Sequence, residues 1–483
     1  MQSKPTPTRT GPGSLVPSSS RALEPGAGPG VASGMTHDVR PYPSRVPLHL
    51  DLILAFSRDL IEGTRRMDEV GGDLVLSGSG KTGVALVRHP DLIRALLVDN
   101  NADVTKARGM RILSTLVGDG LLSSEVPKHT RQRKLVLPAF HHRRLRAYGD
   151  VMVRQSREAA EAWREGEPVD VAEAMNHLAL AIAGETLFGS ALAEDARRIG
   201  DALDESMRAF DSAQFPFADK LLNVPLPNVL RGRRARAEID AVTYRLIRER
   251  RARQMESGGD SEPDDLLQML LDAQDEETGA PMTDEEVRDE AVTLLMAGHE
   301  TTANALAWTW ALLAEHPEAR ARMDEELHAL GRDPRFDDLR DGLVFTRQVF
   351  AESMRLRPPA WIFSREAAHD FELNGVPIAR GTMLLVSAFF LHRDPRFWDA
   401  PAVFDPARFE REASSNRHKF AYLPFSAGRR GCIGEPFAWA EGVLALATVA
   451  RRWKLERAGA APALRGSVTL RPRGPLVMIP RRV

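Results

Sequence analysis

Residues 425–434 read Phe-Ser-Ala-Gly-Arg-Arg-Gly-Cys-Ile-Gly and hold the only cysteine of the 483-residue chain, Cys432. Glycines at 428, 431 and 434 let the backbone come close to a flat partner, because a residue without Cβ tolerates approaches that others do not. A helical run is expected from Pro436 to Trp453, which puts the cysteine in a loop just ahead of a helix, where backbone N–H groups can favour a thiolate. The loop suits metal ligation, although a lone cysteine without further context is more often an inert buried residue. One thiol cannot form an intramolecular disulfide or a Cys-rich zinc or iron–sulfur site, so thiolate chemistry here means Cys432 alone.

Upstream, Thr283 and Glu286 read as a capping box, and apolar residues recur with helical spacing until His316-Pro317. The spacing predicts a helix of about 33 residues, about 50 Å long at about 1.5 Å per residue, enough to cross a domain. Its middle, Ala297-Gly298-His299-Glu300-Thr301-Thr302, sets a glycine, a histidine, a carboxylate and two hydroxyls inside a segment otherwise made of Ala, Leu and Trp. A mid-helix glycine costs about 1 kcal/mol against alanine, and a threonine hydroxyl can capture the carbonyl four residues back. For Thr301 that carbonyl belongs to Ala297, so the helix could open a small polar groove beside Glu300, able to hold a ligand and water. The plain alternative is a polar turn facing solvent.

Helical periodicity dominates the remainder, with strand-like alternation at 72–88, 371–387 and 466–481. The expected fold is mainly α with a small β region. Residues 1–40 are dense in Pro, Gly and Ser and are expected to be a disordered extension, with Met35 a candidate start. Segments 215–227 and 257–263 read as loops rather than linkers. Arginines at 231, 233, 234, 236, 245, 248, 250, 251 and 253 lie on a helical pattern and read as a solvated face.

A net charge of -2 argues against a nucleic-acid binder, which needs a basic excess to neutralise phosphates. No window supplies the roughly 20 apolar residues of a membrane span. The first residues lack the order of a secretory signal, so a cytoplasmic location is expected. Arginine far outnumbers lysine, eight of the 65 basic residues being Lys, which hints at a GC-rich bacterial genome.

The loop around Cys432 resembles the haem-binding signature F-x-x-G-x-R-x-C-x-G of the cytochrome P-450 family at every fixed position. Three further segments resemble that family's motifs in its order: Ala297–Thr302 its oxygen-activating helix motif, Glu352-Ser-Met-Arg355 its E-x-x-R pair, and Pro406-Ala-Arg408-Phe409 its P-E-R-F segment, with Ala407 in place of Glu. His129-Thr-Arg-Gln-Arg133 resembles the W/H-x-x-x-R pattern, followed by Pro138-Ala-Phe140. The resemblance covers about residues 45–483.

This resemblance implies that residues 41–483 form a single domain, a triangular prism of helices around a buried haem b with a small β-rich region near the N-terminus, with Cys432 as the axial thiolate and Phe425, Gly428, Arg430 and Gly434 in the loop that carries it. It places His129, Arg133, Arg365 and Arg430 on the haem propionates, and Ala297 against the cofactor; two buried carboxylates need forked cationic donors. Glu300 and Thr301 match the acid–alcohol pair that passes protons toward bound O2, which favours O2-dependent monooxygenation over peroxide use. Glu352, Arg355 and Arg408 form a structural triad by the same resemblance, and the i,i+3 spacing does put the first two on one helix face. The pocket would draw on 106–122, 210–229, Thr293, Ala297, Thr301, 360–363 and 467–470, with Trp361, Ile362 and Phe363 near the iron and Trp361 and Phe363 narrowing the space there.

These segments are mostly apolar, so a lipophilic substrate such as a terpenoid or fatty acid is expected. No flavin or ferredoxin domain is expected in the chain, so NAD(P)H electrons would arrive through a separate ferredoxin or flavodoxin with its reductase, docking on Arg131, Lys134, Arg143, Arg144 and Arg429. A monomer is expected. The competing readings are a peroxygenase, a haem carrier or sensor without turnover, and a helical scaffold with chance motifs.

Overall fold

The long helix spans Asp284–Glu315, and Thr283 caps it with the expected reciprocal pair: its hydroxyl accepts the Glu286 amide, and the Glu286 carboxylate accepts the Thr283 amide. It is buried on all sides over most of its length, as a helix must be when neighbours cover every face. Helix Val171–Phe188 packs along it, and helices Val344–Leu356 and Glu435–Ala450 lie against its C-terminal half. In this computed structural model the described residues are 43–47, 50–189, 195, 198–203, 205–206, 227–257 and 265–483. The expected disordered extension, most of loop 215–227 and most of loop 257–263 lie outside them.

The largest hydrophobic core forms where these helices meet, around Trp310, Phe350 and Trp453. A second core fills the space beneath helix Pro227–Ser257, whose Arg250 departs from the solvated-face reading: it is buried and paired bidentately with Asp265 at 2.8 and 2.6 Å. The helix after the cysteine ends at Ala450 rather than Trp453, which begins the strand Trp453–Arg457. Arg320 accounts for this end, donating to Ala450 O and Trp453 O and so satisfying carbonyls at the turn.

The main sheet has six strands in the order Pro43–Val46, Leu74–Ser77, Val84–Val87, Met383–Val386, Phe363–Ala367 and Val104–Lys106. Two of its inner strands come from the C-terminal half, so the β region is not confined to the N-terminal part of the chain. Strand Val104–Lys106 pairs antiparallel with Phe363–Ala367, in a register that sets Lys106 opposite Arg365.

Candidate functional site

Cys432 lies on the loop ahead of helix Glu435–Ala450, as expected. Its amide donates to Phe425 O at 2.9 Å, and the Gly431 amide donates to Gly428 O at 3.0 Å, closing the loop on itself. Gly428 has φ +72°, and a Cβ there would collide with Leu97 O, so this position needs glycine twice over. Cys432 keeps accessible surface, although protein surrounds most of its sulfur. Burial pushes its pKa up to about 11, against the pull of the Gly434 and Glu435 amides and the Arg133 guanidinium. Metal binding here releases the thiol proton.

Five cationic or basic side chains converge beside this loop. Lys106 and Arg365 face each other across two strands, both buried. Like charges directly opposite on a sheet destabilise it unless an anion lies between them. Arg430 donates to Ser124 O at 3.1 Å and pairs with Glu125; Arg133 donates to Gly431 O at 2.8 Å. Burial, with the neighbouring cations, holds Lys106 down to about 7, His129 down to about 3 and Arg365 down to about 10. Glu125 is the carboxylate that acts on both Lys106 and Arg365. A cluster with this excess of buried positive charge fits a ligand carrying carboxylates, which is what haem propionates supply. Lys106 was not anticipated as a member. The signal available was strand alternation, which turns it to the same side as buried Val104.

On the long helix, the Thr301 hydroxyl donates to Ala297 O at 2.6 Å, the back-bond anticipated from sequence. A Cβ at Gly298 would meet no protein atom within 4 Å, so packing against the chain does not demand that glycine. The Glu300 carboxylate accepts the Thr469 hydroxyl at 2.6 Å and lies 3.8 Å from Arg471 Nη1, while Asn304 donates to Glu300 O at 2.8 Å. Thr469 and Arg471 belong to the hairpin region formed with Leu464–Gly466 and Leu470–Pro472, a pairing invisible in local sequence.

Two expected pocket residues need correction. Trp361 is 0% exposed, its indole donating to Ser467 O at 3.0 Å, so it presents no face to a pocket. Thr293 is 3% exposed, with its hydroxyl pressed against Gly120. Ile362 and Phe363 are partly exposed, as is Ala297. Most of the 210–229 wall falls outside the described residues.

Glu352 and Arg355 form a fully buried pair at 2.6 and 2.8 Å. Arg408 joins at 3.5 Å through Nε and donates mainly to the Asp399 and Ala400 carbonyls, so it closes the triad more loosely than the pair itself. Arg355 also donates to His392 O, and His392 Nε2 accepts the Leu423 amide at 2.8 Å, two residues before Phe425. Burial, with Arg355 and Arg393 beside it, holds His392 down to about 3, which keeps Nε2 free to accept. The triad thus supports the start of the cysteine loop through His392, a residue no motif marked.

Of the expected docking residues, Arg131 pairs with Glu286 at 2.6 Å, Lys134 pairs at the surface with Glu277 at 3.0 Å, and Arg143 and Arg429 are exposed. Among the described residues no helix is long and apolar enough to cross a membrane.

The family model of cytochrome P450 matches residues 41–476. A relative described as cyclooctatin synthase, from Streptomyces melanosporofaciens, is 36% identical over 85% of this chain and 88% of its own length. Pentalenene oxygenase from Streptomyces avermitilis is 32% identical over 80% and 84%. The crystal structure of a cytochrome P450DA heme domain superposes with a TM-score of 0.79 at 25% identity, covering 92% of this chain and 98% of that one. With its cysteine loop, its cluster of buried basic residues and the Thr301 back-bond on the long helix, the chain belongs to the cytochrome P450 family of haem-thiolate monooxygenases.

Proposed function

We propose that this protein hydroxylates a terpenoid with O2, using a haem b held by Cys432 and electrons delivered by a ferredoxin or flavodoxin. The observation that carries the haem assignment is the cluster of Lys106, Arg133, Arg365 and Arg430, with a neutral His129 among them, beside the Cys432 loop. A bound haem would supply a thiolate-ligated iron that activates O2.

The chain's own residues do the rest. Arg365, Arg430, Arg133, His129 and Lys106 would hold the propionates and fix the macrocycle. The Gly434 and Glu435 amides facing the sulfur temper its charge. The Thr301 hydroxyl, back-bonded to Ala297 O, offers an oxygen that can pass a proton at the groove, and Glu300 stands one residue away as an acid held by Thr469. Arg143 and Arg429 remain for an acidic electron donor.

A terpenoid is favoured over a fatty acid because relatives of 36% and 32% identity are named cyclooctat-9-en-7-ol 5-monooxygenase and pentalenene oxygenase. The fatty-acid reading has a 31% identical relative from Mus musculus, named leukotriene-B4 omega-hydroxylase 3. The test begins with the dithionite-reduced, CO-bound spectrum, where a strongly red-shifted Soret band reports a thiolate opposite CO. A titration with cyclic terpene alcohols and with long-chain fatty acids then follows the low-to-high-spin shift. A shift with fatty acids alone removes the terpenoid reading; turnover with peroxide but not with a reconstituted NADH–ferredoxin system removes the monooxygenase one.

A further inference from the structure

The segment Val117–Glu125, between helices Arg108–Val117 and Lys128–Val136, lies across the N-terminal half of the long helix, and three consecutive residues hold it there. Arg288 donates to Val117 O at 2.5 Å, Asp289 accepts the Asp119 amide at 2.8 Å, and Glu290 accepts the Leu121 amide at 3.1 Å. Between these bonds stand Gly118, at φ +99°, and Gly120. A Cβ on the first would collide with Asp289 and Arg288; on the second it would collide with Thr293 and lie 2.6 Å from Asp289 O. The loop backbone therefore rests directly on the helix, an approach only glycine allows.

The acids at this contact are not equivalent. Asp289 is paired with Arg288 at 2.8 Å, and Arg288 reaches Asp240 on helix Pro227–Ser257 at 2.6 Å. Glu290 is 0% exposed, its Oε2 takes the Leu121 amide, and its Oε1 has no hydrogen-bond partner. Burial raises its pKa to about 7; Asp289 adds to the rise, while the Leu121 amide, Lys128 and Lys106 oppose it. Lys128 is occupied by Asp119 at 2.9 Å. Lys106 donates to Leu121 O at 2.9 Å, so the Leu121 residue is gripped at both its N–H and its C=O.

We propose that Glu290 is a positioning residue for this segment: as a neutral carboxyl it lets the loop lie closed on the long helix, and as a carboxylate it loosens the loop, so that access to the groove beside Thr301 depends on pH. The access part rests on the reading of 106–122 as a wall of the substrate pocket. When the loop opens and water reaches Glu290, the carboxyl returns toward its ordinary value of 4.5. The closed state thus binds the proton more tightly. Closure is fully supported below about 4.5, weakens as pH rises toward about 7, and is level above that, with a limiting slope of about tenfold in the opening constant per pH unit.

Hydrogen–deuterium exchange on the haem-loaded protein, wild type against Glu290→Gln, tests this between pH 5 and 8. Comparing the two proteins at each pH cancels the intrinsic pH dependence of amide exchange. The wild-type opening constant for 117–125, relative to the variant, is expected to climb up to tenfold per pH unit to about pH 7 and then level; a ratio flat across the range overturns the proposal. Should the variant not fold, the wild-type exchange of 117–125 relative to helix Val171–Phe188 carries the same slope. CO rebinding after flash photolysis of the ferrous protein reads access with an uncharged probe. It should quicken from pH 5.5 to 7.5 in wild type and stay level in the variant. An exchange slope with unchanged CO rebinding would leave the latch standing and overturn the pocket-wall reading together with the access claim.

Discussion

Replacing Arg355 by lysine should cost the protein much of its stability and also displace the cysteine loop. The guanidinium has five N–H donors in a fixed fork, and all five are used. Nε and Nη2 donate to Glu352 at 2.6 and 2.8 Å, Nη1 donates to His392 O and Pro401 O at 2.8 and 2.7 Å, and Nη2 donates to Val403 O at 2.9 Å. A lysine brings three donors from a single nitrogen, so at least two of these acceptors lose their partner. At about 1–3 kcal/mol for each buried acceptor left unmade, the loss is about 2–6 kcal/mol. Against a total stability of about 5–15 kcal/mol, that is a large share. Urea unfolding followed by tryptophan fluorescence measures it on holoprotein, and the reduced CO spectrum reports the loop, because His392 carries the strain to Leu423. The reasoning fails if the lysine variant unfolds within about 1 kcal/mol of wild type, since the buried fork would then contribute no more than a surface pair does.

Gly428→Ala should lose thiolate ligation: its Cβ would strike Leu97 O at a left-handed backbone position, at about 1–2 kcal/mol before any collision, and the CO spectrum should show a mixed or normal haem band. Cys432→Ser should remove the red-shifted CO band entirely while leaving the fold, as circular dichroism would show. Thr301→Ala should keep haem and substrate binding but send reducing equivalents to peroxide, measured as the ratio of NADH consumed to product formed; full coupling would remove Thr301 from proton delivery or show that Thr302 replaces it.

Local patterns reached far in this chain because their physics is local. The capping box at Thr283 and Glu286, the Thr301 back-bond to Ala297 and the i,i+3 pairing of Glu352 with Arg355 all follow from spacing along one segment, and the structure contains each of them. The family reading followed from the same kind of signal, a loop whose residue types and spacing serve one chemistry.

What the sequence left open were relations between segments distant in the chain. Lys106 joins the cation cluster because a strand register sets it opposite Arg365, 259 residues further on. Glu300 takes its partner from Thr469, His392 links the buried arginine to the cysteine loop, and Trp361 turns into a hairpin rather than a pocket. Arg131 and Lys134 take acid partners from another segment, Glu286 and Glu277. By itself, then, the sequence determined the family, the long capped helix and the loop–helix element around Cys432. Tertiary structure alone decided which charges meet, which side chains are sealed from solvent and which loop rests on which helix, because burial and charge pairing depend on neighbours in space rather than in sequence.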